Sequence, residues 1–111
     1  MKEYIKCKGK DVNCIEVKLD YELGGYQYST YTEKPRGYYI HVQPMELVHH
    51  DNGLVSYKFS AYTGYYKLLV ECKRKSKSAE TKAKALYEDA KKQLVERVVN
   101  EMQLTLEENG N

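Results

Sequence analysis

The stretch Tyr65–Cys72, YYKLLVEC, decides the architecture. Read as a helix, it puts Tyr65, Leu68, Leu69 and Cys72 on one side, at the i, i+3, i+4, i+7 spacing. Read as a strand, it alternates Tyr66, Leu68, Val70 and Cys72. The helical reading is preferred, and it divides the chain at Gly64. Residues 1–63 then form a sheet, residues 64–103 a helical part, and residues 104–111 a short strand or a frayed tail.

Working backwards, the signals are strands and turns. In VNCIEVKLDYE (Val12–Glu22), Ile15, Val17, Leu19 and Tyr21 share one face while Glu16, Lys18 and Asp20 take the other. Such alternation marks a half-buried strand. Gly24-Gly25 reads as a hairpin turn, because glycine accepts positive φ. A second strand is expected from Tyr26 to Glu33, a turn at KPRG, and a third strand from Tyr38 to Leu47. Pro44 lies inside the third strand, which predicts an edge, a bulge or a strand end there. Asn52-Gly53 signals another hairpin. The fourth strand, Leu54–Ala61, would bury Val55, Tyr57 and Phe59. An extra strand at Lys2–Cys7, turning at KGKD, is open.

Working forwards, Ala79, Ala83, Leu86, Tyr87, Ala90, Leu94, Val98 and Met102 form an apolar stripe at spacings of three and four. Ser76 or Ser78 can cap its start. A helix this long exceeds the reach of an ordinary strand, about 20 Å. It is therefore expected to overhang the sheet, break, or pack a partner. Gln103–Leu106 is read as a last short strand. The fold class predicted is a single α+β domain: a four-stranded antiparallel meander with a C-terminal helix or helices on one face.

Charge is nearly balanced, 18 basic against 16 acidic side chains, so net charge alone does not imply nucleic acid. Its distribution is uneven: KRKSKSAETKAK (Lys73–Lys84) carries six basic residues and one acidic. Lys73, Arg74, Lys75, Lys77, Lys82 and Lys84 are thus candidates to meet a nucleic-acid backbone. The bland alternative is a solvated helix start. No segment is long and apolar enough for a membrane. The N-terminal MKEYIKCKGK lacks the apolar run of a signal peptide. Three cysteines, an odd number, fit reducing conditions, so a cytoplasmic location is expected.

Catalytic patterns are missing. Cys7, Cys14 and Cys72 have no zinc spacing. His49, His50 and Asp51 are adjacent in a hairpin loop and cannot easily chelate one ion. His41 shares a face with Tyr39 and Gln43, and a polar-face histidine is the simpler reading. No phosphate loop, nucleophile elbow or paired-carboxylate motif occurs. No cofactor, no metal and no enzymatic activity are expected, and a closed pocket lined by His41 with a convergent carboxylate is what would point to an enzyme instead.

The aromatic surface is almost all tyrosine: twelve, against one phenylalanine and no tryptophan. Tyrosine suits strands, and several must be core. Yet Tyr38 and Tyr39 are adjacent and so point to opposite faces, as do Tyr28 and Tyr31. Some must lie away from the core stripe, where tyrosine makes a good contact surface. The protein-binding candidates are Tyr26, Tyr28, Tyr31, Tyr38, Tyr39 and His41.

KPRGYYIHVQP (Lys34–Pro44) and AYTGYYKLLVECKRKSKSAE (Ala61–Glu80) resemble stretches in small proteins encoded by phages, plasmids and conjugative elements of gut bacteria. The shared features are a PRGYY turn, a segment like FTGYK before leucines, and a K/R-S-K run before a helix. The resemblance implies a mobile-element accessory factor. It would bind a host or element protein, as anti-CRISPR inhibitors bind defence nucleases. A nucleic-acid-binding module, using the basic run and exposed sheet tyrosines, is the alternative.

Overall fold

The computed structural model describes residues 1–27, 31–59 and 64–107. The chain forms β1 (Lys2–Gly9), β2 (Val12–Glu22), β3 (Gly25–Gln27), β4 (Thr32–Lys34), β5 (Gly37–His49), β6 (Val55–Phe59), β7 (Tyr65–Glu71), α1 (Lys77–Met102) and β8 (Thr105–Leu106). The α+β class holds, with one C-terminal helix packed on an antiparallel sheet. The sheet has six strands rather than four, in the order β6-β5-β2-β1-β8, with β7 also on β5.

The expected meander fails at the link after Val12–Glu22. The described residues of Tyr26–Glu33 do not pair with β2. Instead β3 and β4 form a separate two-stranded hairpin. β2 pairs directly with β5, from Cys14 opposite Met45 to Glu22 opposite Gly37. This register follows from the alternation. Val17 meets Val42, Leu19 meets Ile40 and Tyr21 meets Tyr38, so the apolar sets of both strands share one face.

Tyr65–Glu71 is a strand, not the start of the helix. β7 runs antiparallel to β5, with Tyr65 opposite Val42 and Leu68 opposite Tyr39. The register then shifts, because Val70 pairs with Tyr38 and leaves Leu69 as an extra residue. Such a bulge breaks the period of two. Tyr65, Leu69, Val70 and Cys72 all pack against the core. A bulged strand thus imitates the spacing of a helix face, which is why the helical reading misled.

Pro44 is not at an edge of the sheet. It lies in β5, which has neighbours on both sides. β7 pairs with β5 up to Val42, and β6 begins at Met45. Gln43 and Pro44 fall in the gap, the one place where a missing N–H costs no ladder bond.

α1 begins after Ser76, whose hydroxyl accepts from the Ala79 N–H at 3.1 Å. It is unbroken for 26 residues and buries Ala79, Ala83, Tyr87, Ala90, Leu94, Val95 and Val98. Leu86, expected in the stripe, is 48% exposed. The overhang does not arise, because β2 and β5 run 11 and 13 residues, well beyond ordinary strands. Gln103 ends the helix in the left-handed conformation. Leu104 is then buried, and β8 pairs with β1. Within the core the Tyr87 hydroxyl donates to Glu3 at 2.8 Å and Lys91 donates to the same carboxylate at 3.0 Å. Burial opposes ionisation of Glu3, but these bonds hold its carboxyl below the usual range.

Gly37 opens β5 between Glu22 and Glu71. A Cβ there would stand 2.2 Å from the Val70 carbonyl oxygen, which is backbone just past the bulge. Gly37→Ala is expected to lower unfolding stability by about 1–3 kcal/mol, the cost of overpacking. A urea titration checks this, and an unchanged midpoint would contradict the bulge geometry.

Candidate functional site

The sheet has two faces with different covers. α1 covers the face of Tyr38, Ile40 and Val42. The opposite face carries Tyr39 and His41 of β5, Glu16, Lys18 and Glu22 of β2, and Tyr66 of β7, as the pairings require. The β3–β4 hairpin folds over part of it.

Lys34, the last residue of β4, holds the hairpin down. Its ammonium lies 4.4 Å from the Tyr39 ring centroid and 4.7 Å from that of Tyr66. It also pairs with one oxygen of Glu22, while His41 Nε2 meets the other. The Tyr39 hydroxyl donates to the Pro35 carbonyl. Burial works against ionised Glu22, but Lys34 and His41 outweigh it and lower its pKa. The result is a latch: a cation between two rings, neutralised by a carboxylate that also orients an imidazole.

Beside the latch lies an open cleft of about 320 Å³, lined among others by Glu16, Lys18, His41, Gln43 and Tyr66. His41 and Glu22 resemble half of an acid–base pair, but Lys34 shares the carboxylate. Cys14 is on this face of β2, opposite Met45, and burial raises its pKa. That environment disfavours a thiolate nucleophile.

The structure does not gather the predicted tyrosines into one patch. Tyr38 is buried under α1, edge-on to Tyr21 at 5.2 Å. Tyr39 is 1% exposed beneath the latch. Both serve the interior because β5 is central and covered on both faces here. Tyr26 and Tyr31 are exposed on the hairpin region, and His41 is half-buried. Tyr28 lies outside the described residues.

The basic run surrounds the start of α1. Arg36 ties it to the hairpin, donating to the Lys73 carbonyl at 3.3 Å and the Leu23 carbonyl at 3.1 Å. Lys75 lies 5.9 Å from the Tyr21 ring centroid, and Lys84 pairs with Glu80 at 3.1 Å. Among the described residues, Lys73, Arg74, Lys77 and Lys82 are exposed and have no ion pair.

The largest surprise is β6. Its alternation is as predicted, but Val55 and Tyr57 face the same way as Leu47 and His49, away from α1. Val55 is 51% and Tyr57 57% exposed, with Leu54 exposed beside them. Ser56 and Lys58, on the other face, are exposed too. Among the described residues the outer edge of β6 has no partner strand. On the far edge of β5 the pairing with β2 ends at Met45, and beyond it the Asn13 side chain bonds both the N–H and the carbonyl of Leu47 at 2.7 and 2.8 Å.

No protein-family model matches this chain, and no curated protein or solved structure matches it. No helix among the described residues is long and apolar enough to cross a membrane.

The latch has a pH signature. The Glu22 pKa is lower in the folded state, so its contribution is complete above the unfolded value, about 4.3. It is lost as pH falls through the folded value. Glu22→Gln is therefore expected to flatten the acid limb of stability measured by urea melts across pH 2–7 (roughly the carboxylate range). Lys34→Met is expected to cost about 1–2 kcal/mol at neutral pH. An unaltered acid limb in Glu22→Gln would contradict the latch.

Proposed function

We propose that this protein is a non-enzymatic accessory protein of a mobile genetic element that works by binding another protein. The partner is a host defence nuclease, which it inhibits, in keeping with the resemblance of Lys34–Pro44 and Ala61–Glu80. The observation that carries the binding reading is β6: a strand edge without a partner strand among the described residues, with Leu54 65% and Val55 51% exposed, and Tyr57 exposed on the same face as Val55. Apolar and aromatic side chains on an open edge are costly to leave in water and prone to pair with other chains. They are also the side chains that anchor interfaces. At His41 the Glu22 carboxylate is shared with Lys34, which supports a structural role for this pair rather than an acid–base one.

A nucleic-acid reading has one supporting observation: Lys73, Arg74, Lys77 and Lys82 are exposed and have no ion pair among the described residues. It calls for binding that weakens steeply with salt.

Val55→Lys with Tyr57→Lys should leave the melting temperature within a few degrees, since both side chains are exposed. It should abolish protection of phage in a defence-bearing host and weaken nuclease binding by about 2 kcal/mol or more. Full protection by this variant would overturn the β6 assignment. If replacing Lys73, Arg74, Lys75 and Lys77 by alanine is what removes activity, with recovery of partners sensitive to nuclease treatment, the nucleic-acid reading replaces it.

A further inference from the structure

We propose that the cleft between the outer edge of β7 and α1 takes an extended peptide segment of the partner protein, which adds a strand to β7. This deepens the protein-binding reading and rests on it, but it depends on a different part of the surface. β7 pairs with β5 on one side, and among the described residues no strand pairs with its other side. An unpaired edge offers backbone donors and acceptors at the spacing an added strand needs.

The neighbouring helix makes this edge a groove. A cleft of about 240 Å³ is lined by Lys67, Leu68 and Leu69 of β7 and by Leu86, Asp89 and Gln93 of α1, with Ala90 at its base. Leu86 belongs to the apolar stripe of α1 by spacing, yet it stands 48% exposed at the cleft instead of in the core. Leu69, the bulged residue, is half-buried beside it. An added strand alternates its side chains across the sheet. One set would point towards α1 and seat an apolar side chain on Leu69 and Leu86.

The charges define the occupant further. Lys67 stands on the strand wall and Asp89 on the helix wall, and neither has an ion pair among the described residues. A peptide with an apolar anchor flanked by one acidic and one basic side chain complements both walls. The groove thereby reads sequence, whereas an edge alone would accept any strand.

A displayed library of linear peptides panned against the full chain tests this. The expected result is a consensus with one apolar anchor flanked by opposite charges. A synthetic peptide of that consensus should lose about tenfold or more in affinity against Leu86→Glu, the effect of spoiling one apolar anchor. Asp89→Lys should reverse the preference for the basic flank, and it provides a second variant if Leu86→Glu folds poorly. Amides of Tyr65–Glu71 should gain protection from hydrogen exchange when the peptide binds. No selected peptide, or one that binds Leu86→Glu as well as the parent, overturns the proposal. Self-association that Leu86→Glu abolishes would assign the groove to a second copy and also overturn it. Nuclease inhibition lost in Val55→Lys with Tyr57→Lys but kept in Leu86→Glu would discard the groove and retain the protein-binding reading. Inhibition kept in both variants would remove both.

Discussion

Strand β5 must satisfy backbone groups on two edges along thirteen residues, and one of them, Pro44, has no N–H to give. Buried backbone groups need partners, so the neighbours of β5 are arranged around that fact. β2 runs along one edge without interruption from Gly37 to Met45. The other edge is divided between β7 and β6, which run in the same direction and stop short of Gln43 and Pro44. The two strands are in effect one partner strand, broken where β5 cannot donate. Gly64, at the start of β7, fits against this gap: a Cβ there would meet the Gln43 side-chain oxygen at 2.2 Å.

That division creates two unlike halves. Over Tyr38–Val42 the sheet is covered on both sides, by α1 and by the latched β3–β4 hairpin. Polar groups there are paired, as in Glu3 with Tyr87 and Lys91, and Glu22 with Lys34 and His41. Beyond Met45, which is still buried, Glu46–Val48 are only half-buried and His49 is exposed. The β5–β6 hairpin continues with apolar side chains in solvent. A small domain has a limited core, and leaving a strand uncovered loses burial that it could have used. A bound partner would restore that burial, which is the physical ground of the proposed binding role.

Much of this was legible from pattern. The alternation of Val12–Glu22, the hairpin at Asn52-Gly53, a serine cap at Ser76 or Ser78 and, apart from Leu86, the long stripe of α1 each rest on local chemistry, and the structure selects Ser76 for the cap. What failed depended on pairing. Nothing local says that Tyr26–Glu33 leaves the sheet, so β2 and β5 meet across a connection of their own. The Leu69 bulge disguised a strand as a helix. Val55 and Tyr57 do alternate, but alternation cannot say whether the face has a cover. The same limit applied to the site. Tyr38 and Tyr39 were rightly placed on opposite faces, yet both faces are covered there, so neither forms a patch. Lys34 and Glu22, which make the latch, meet only once the hairpin folds back over the sheet.

Central to the structure is β6, an edge strand with no outer partner among the described residues, beside a β5 that is paired on both edges from Tyr38 to Val42. Native-state hydrogen exchange of the free protein, followed residue by residue against denaturant, measures this directly. The amides of Tyr38–Val42 should exchange only through global unfolding, and those of Val55–Phe59 through local opening at far lower free energy. Equal protection of the two segments would mean that β6 already has its cover, and the open edge on which the binding reading stands would not exist.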